Sequence, residues 1–257
     1  MILTDSHAHL YLEQFDADRH DVIRHAIKQD VRYMILPNID KGSIKPMMQL
    51  VKDFPDNCFP MMGLHPTSVG KDYTDHLEAV SEWLKKEKFY AIGEMGIDLY
   101  WDKTFFAEQQ EAFRVQVGLA MEYDLPLVIH SRNSFDEIFL LLDEVRRPGL
   151  RGVFHCFAGN SDQADHIIGM GFMLGIGGVL TYKNSGLAEV VEKIPLAHLL
   201  LETDAPFLAP VPYRGKRNES AFIENIAIKL AEIKGIKIED VAEATTQNAI
   251  NLFKINV

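Results

Sequence analysis

The chain has 257 residues, 47% hydrophobic and 25% charged, a balance able to build a sizeable core in one large α/β domain or two small ones. Its net charge of −11 excludes a broad basic surface of the kind that grips nucleic acid non-specifically. It does not exclude phosphoester chemistry, because bound metal ions supply local positive charge inside an acidic protein. Two cysteines, Cys58 and Cys156, form no disulfide framework, no secretory signal pattern opens the chain, and no apolar run is long enough to span a bilayer. A cytoplasmic protein in a reducing compartment is expected, with no membrane association.

Short apolar runs ending in polar residues alternate with helix-length amphipathic segments. Strands are expected at residues 2–9, 32–38, 58–65, 90–98, 127–131, 152–157, 172–177 and 199–204. Between the fourth and fifth, Phe106, Phe113, Val117 and Ala120 recur at helical spacing within residues 105–123. Residues 218–233 and 238–253 close the chain as two more amphipathic segments. Eight strands separated by helices in about 250 residues give the size of a (β/α)8 TIM barrel. A single α/β domain over residues 1–257 is therefore expected, with a doubly wound open sheet as the runner-up.

In such a barrel the chemistry sits at the C-terminal ends of the strands. Those ends carry His7 and His9, His65, Glu94 with Asp98, His130, His155, and Glu202 with Asp204, so five of the 10 histidines lie there. In "DSHAHL" the two-residue pleat puts His7 and His9 on one face, about 6–7 Å apart along the strand. Asp5, one step deeper on that face, is placed to orient an imidazole. Taken alone, His-x-His says little. Glu94 sits in an apolar run, where a carboxylate is costly unless it is paired with Arg or Lys or bound to metal. His130 and His155 each end an apolar run, and singly each reads as a satisfied core histidine. Together with Asp204 these residues form a nitrogen and oxygen donor set for two divalent ions, without a thiolate; Zn, Mn, Mg, Ni and Co all remain possible.

The stretches "TDSHAHL", "GLHPTSV", "IGEMGIDLYW", "LPLVIHSRNS", "HCFAGN", "LLLETDAPFLAP", "PYRGKRNE" and "ATTQNAINLF" resemble, in order and spacing, the TatD family of metal-dependent deoxyribonucleases, within the amidohydrolase-like TIM-barrel superfamily. The resemblance spans nearly the whole chain. It implies that His7, His9 and Asp204 hold one metal, and that Glu94 bridges to a second held by His130 and His155. It further implies that Asp204 is the general base, that His65 contacts substrate phosphate at the edge of the cluster, and that Arg132 and Arg217 are phosphate contacts. The catalytic set is then Asp204, Glu94 and His65. Four positions depart from the family pattern: Tyr11 stands where an acid is common, Asn133-Ser134 where Asp-Ala is, and Ser220 where proline is.

Two divalent metals suit in-line phosphoryl displacement. The expected activity is phosphodiester hydrolysis, as a 3′–5′ exodeoxyribonuclease on single-stranded or frayed DNA ends, by a monomer. The same site on a cyclic amide, a lactone or a small phosphoester is the alternative. A non-catalytic scaffold or quality-control protein would have eroded ligands, and none is missing. Trp101 follows the fourth strand in a loop and is a candidate base-stacking platform. Trp83 lies in a helical pattern and reads as packing. Cys156, next to His155 in the expected strand, should point away from the site. "GIGGVLTY" lacks the spacing and lysine of a phosphate loop, so no nucleotide cofactor is implied.

Overall fold

A computed structural model describes residues 1–256, and its strands and helices alternate along the chain. The strands are β1 (Leu3–Asp5), β2 (Val31–Leu36), β3 (Cys58–Pro60), β4 (Ile92–Asp98), β5 (Leu127–Arg132), β6 (Gly152–Phe154), β7 (Phe172–Ile176) and β8 (Leu199–Leu201). Helices α1 (Arg19–Lys28), α2 (Ile44–Asp53), α3 (Tyr73–Leu84), α4 (Phe106–Glu122), α5 (Phe135–Val145), α6 (Ser161–Gly169) and α7 (Leu187–Lys193) each separate consecutive strands. After β8 come α8 (Ile223–Lys234) and α9 (Ile238–Phe253).

All strand pairs are parallel, in the order β1-β2-β3 and β4-β5-β6-β7-β8. Two parallel bridges, Met62 with Ile92 and Ala8 with Ala205, join these arcs at both seams. The sheet therefore closes, and the fold is the expected barrel rather than the open sheet. Several strands end earlier than expected. The chain beyond them stays extended and bonded: Ser6 N donates to Leu201 O at 3.0 Å, Asp204 N to His7 O at 2.9 Å, and His9 N to Ala205 O at 2.7 Å.

Because side chains alternate along a strand, every second residue faces the barrel interior. Ile35, Met61, Val128, Val153 and Leu200 meet there in one buried cluster, closed by Leu252 and Phe253 at the end of α9. The same alternation carried upward reaches the mouth. His130 stands two residues after Val128, His155 two after Val153, and Asp204 four after Leu200. The outer faces of the strands pack with the helices in a second, larger cluster, which Trp83 joins as a half-buried neighbour.

Asp5 has a different task from the one expected of it. Its carboxylate accepts from Thr203 N at 2.9 Å and from Thr203 Oγ1 at 2.6 Å, tying β1 to the chain after β8; no imidazole hydrogen-bonds to it. Complete burial pushes its pKa up to about 7 against these hydrogen bonds. Thr203→Val keeps the shape and strands a buried carboxylate oxygen. It should lower the unfolding free energy by about 1–3 kcal/mol, read by urea denaturation; an unchanged midpoint would show that the seam does not depend on this hydroxyl.

Candidate metal centre

The six residues expected to ligate converge at the barrel mouth, around the two oxygens of Glu94. Oε2 lies 3.1 Å from His7 Nε2 and 3.4 Å from His9 Nε2. Oε1 lies 2.9 Å from His130 Nδ1, 3.2 Å from His65 Nε2 and 3.6 Å from His155 Nε2. Asp204 closes the first group from above, with Oδ1 at 3.5 Å from His9 Nε2 and 3.9 Å from His7 Nε2. The Glu94 carboxylate is thus shared by two sets of donors. No Lys or Arg pairs with it among the described residues, which removes the ordinary ion-pair reading of a buried glutamate.

Glu94 reaches this position because β4 runs very close to β5. At Gly96, with φ of +152°, a Cβ would lie 2.0 Å from the His130 carbonyl oxygen, so only glycine fits. That approach brings His130 beside Glu94.

Hydrogen bonds on the far side of His9, His130 and His65 decide which nitrogen of each is bare. Tyr11 donates its hydroxyl hydrogen to Pro37 O at 2.5 Å, so its oxygen accepts from His9 Nδ1 at 3.1 Å, leaving Nε2 of His9 without a hydrogen. Asp98 Oδ2 lies 3.0 Å from His130 Nε2 and fixes the hydrogen there, leaving Nδ1 bare toward Glu94. Glu202 Oε1 lies 2.9 Å from His155 Nδ1 as a charge contact but accepts its hydrogen bond from Cys156 N at 2.5 Å, so no hydrogen bond fixes the tautomer of His155. His65 is reversed. The Thr67 backbone N–H donates to its Nδ1 at 3.1 Å, so Nε2, 3.2 Å from Glu94 Oε1, carries the hydrogen.

Bare nitrogens aimed at ionised carboxylates are an unstable arrangement unless a cation lies between them. A proton can serve. Burial opposes charge on both rings, yet Glu202 and Glu94 raise His155 to about 10, and Asp204 and Glu94 raise His9 to about 9. Glu94, despite burial, is held well below the usual carboxylate range by His65, His155 and His7. A divalent ion meets the same field with more charge, and imidazole nitrogens with carboxylate oxygens are its ordinary ligands. The residues present fit a metal centre. His7, His9 and Glu94 form one compact donor group, His7, His155 and Asp204 another, and His65, Glu94 and His130 a third.

The cluster floors a cavity of about 610 Å³, also lined by Arg132, Trp101 and Phe207. A family model described as "TatD related DNase" matches residues 4–254. The chain belongs to the TatD family. The uncharacterized metal-dependent hydrolase YabD of Bacillus subtilis is 39% identical over 99% of this chain and 100% of its own length. The crystal structure of YjjV, a TatD homologue from Escherichia coli, superposes with a TM-score of 0.93 at 30% identity, covering 99% of this chain and 98% of that one. A TatD family hydrolase from Entamoeba histolytica, at 23% identity, shares the fold with a TM-score of 0.85 over 98% of both chains. This TatD-family chain is a metal-dependent hydrolase with a His, Glu and Asp cluster able to bind metal.

Of the two arginines expected near the TatD cluster, only Arg132 lines the cavity. Its guanidinium lies 4.0 Å from the Tyr100 ring centre and 5.3 Å from that of Trp101. Ser134, one of the departures from the family pattern, accepts from Arg132 N at 3.2 Å and donates to Ile97 O at 2.7 Å, fixing this strand end. Arg217 is turned elsewhere: its guanidinium holds Asp18 at 2.7 and 2.8 Å and packs over Phe15. Cys156 faces the cavity instead of pointing away, because β6 ends at Phe154 and a φ of +48° at Cys156 breaks the strand alternation. Tyr11 and Asp98 escaped the sequence reading as ring-orienting partners, and Glu202 as the charge beside His155. Asp98 and Glu202 stand at strand ends beside acids already assigned, and pairing with a particular histidine leaves no trace in spacing.

Outer partners of ligating histidines typically alter metal affinity by about 10- to 100-fold. Tyr11→Phe should therefore weaken Mn²⁺ binding on that scale in a chelator competition. Unchanged affinity would mean that His9 is oriented without the hydroxyl.

Proposed function

We propose that this hydrolase cleaves phosphodiester bonds in DNA, as a 3′–5′ exonuclease acting on single strands or frayed ends. The observation that carries the reading is the Glu94 carboxylate shared by two donor sets beneath an exposed aromatic ring and an arginine with no ion-pair partner among the described residues. His7, His9 and Asp204 would hold one divalent ion and His130 with His155 a second, Glu94 serving both. Two such ions would supply charge stabilisation for the attacking and leaving oxygens of an in-line displacement.

The chain's own groups divide the remaining work. Asp204 is the cluster acid most open to the cavity, its side chain 13% exposed against 2% for Glu94, and it takes the proton of the attacking water. His65, whose Nε2 carries a hydrogen, donates to a non-bridging phosphate oxygen. Among the described residues Arg132 has no carboxylate partner, and it presents its planar donors to phosphate. The Trp101 ring, 69% exposed at the cavity wall, offers a stacking face for a base. A net charge of −11 favours an end held in a concave mouth over a duplex gripped along its length. The DNase description of the family supports the choice of bond and polymer. No helix among the described residues is long and apolar enough to cross a membrane.

Release of nucleotides from a 3′-labelled single strand should stop on chelation and return with Mg²⁺ or Mn²⁺. Asp204→Asn should reduce that rate by about 10²- to 10⁴-fold, the range of a lost general base. Equal rates for wild type and variant would overturn the mechanism. A lactone or cyclic amide turned over in place of the strand would overturn the substrate.

A further inference from the structure

The cavity over the cluster has a continuation that the hydrolytic site does not use. Val179 lines it and also lines a second hollow of about 490 Å³, so the two adjoin. This hollow lies between the segment after β7 and the long segment between β8 and α8. Its polar lining includes two exposed cations, Lys183 and Arg214, together with Tyr182. The Arg214 guanidinium lies 4.4 Å from the Tyr182 ring centre, a cation held over an aromatic face. Neither Arg214 nor Lys183 forms an ion pair among the described residues, in a chain with a large excess of acids.

The stack is preset rather than loose. Tyr182 donates its hydroxyl hydrogen to Ala209 O at 2.9 Å. Val211 N donates to Thr181 Oγ1 at 2.9 Å, and that hydroxyl donates on to Gly178 O at 2.7 Å. At Gly178 a Cβ would lie 2.0 Å from Leu208 O, so the two segments touch backbone to backbone and hold Tyr182 beneath Arg214. The mouth thus has an arginine over an aromatic ring on each side of the cluster: Arg132 over Tyr100 and Arg214 over Tyr182.

Resting on the nuclease reading above, the geometry points to the Tyr182–Arg214 hollow, with Lys183, as a second subsite for the polymer, binding a backbone phosphate of the strand beyond the one under attack. Its ligand class is a phosphodiester chain of more than one linkage. A guanidinium backed by an aromatic ring meets phosphate with two donors and leaves its outer face free for an adjoining base. The sequence motif is "PYRGKRNE", and within it the cation facing the groove is Arg214, not the Asp18-bound Arg217. A dinucleotide, with one linkage, engages the cluster alone, whereas a longer strand also reaches this subsite.

The test measures anisotropy of Mn²⁺-loaded protein with fluorescent phosphorothioate strands, which resist hydrolysis, at two lengths: a thymidine dinucleotide and an octanucleotide. Hydrolysis of bis(p-nitrophenyl) phosphate is followed in parallel. Wild type should bind the octanucleotide more tightly than the dinucleotide. Arg214→Ala should weaken octanucleotide binding about five- to tenfold and reduce its salt slope by about 0.7, the value of one lost single-strand phosphate contact. Dinucleotide binding and small-ester hydrolysis should not change, and Arg214→Lys should recover part of the loss. An Arg214→Ala octanucleotide affinity equal to wild type overturns the subsite and leaves the nuclease reading standing, as does an equal loss at both lengths. A wild type that hydrolyses the small ester and binds neither strand overturns both.

Discussion

One carboxylate, Glu94, faces two ways at the top of a closed barrel, and the architecture is arranged around keeping it ionised in a buried place. An isolated buried carboxylate would protonate, since burial without compensation is costly for charge. Here compensation comes from imidazoles on four other barrel segments: His7 after β1, His65 after β3, His130 on β5 and His155 after β6. His65 and His130 are hydrogen-bonded from further out and Glu202 stands beside His155, whereas His7 Nδ1 has no hydrogen-bond partner among the described residues. Acceptors behind His9 and His130 (Tyr11 and Asp98) turn bare nitrogens inward. A donor behind His65, the Thr67 amide, turns a hydrogen inward instead. This difference sets His9 and His130 apart from His65 within a single cluster.

The barrel makes the convergence possible at little local cost. Inward positions below the mouth are filled by Val128, Val153 and Leu200, and the same pleat delivers His130, His155 and Asp204 above them. Closure at the β8–β1 seam matters as much as the strands do. His7, His9 and Asp204 all lie just past regular strand structure, and backbone bonds from Asp204 N to His7 O and from His9 N to Ala205 O hold them in register.

Much of this was legible in the sequence. Polar residues ending apolar runs revealed both the strand order and the six positions that converge at the barrel mouth, because a period of two is a property of any strand whatever it packs against. The helix expected at residues 238–253 appears as α9 over Ile238–Phe253. What could not be read depended on contacts between distant segments. Asp5 shares a face with His7, yet its carboxylate is taken by Thr203 from across the seam. Arg217 and Arg214 stand three residues apart in one loop, and only the folded path shows that Asp18 claims the first while Tyr182 supports the second. Cys156 was misplaced because strand alternation was extended two residues past the end of β6.

The account stands or falls on Glu94 serving two ions at once. The direct measurement is anomalous diffraction from crystals soaked in Mn²⁺. Two peaks are predicted, one beside His7, His9 and Asp204 and the other beside His130 and His155, each in contact with a different oxygen of Glu94. A single peak, or density that leaves Glu94 bonded only to histidines, would contradict it.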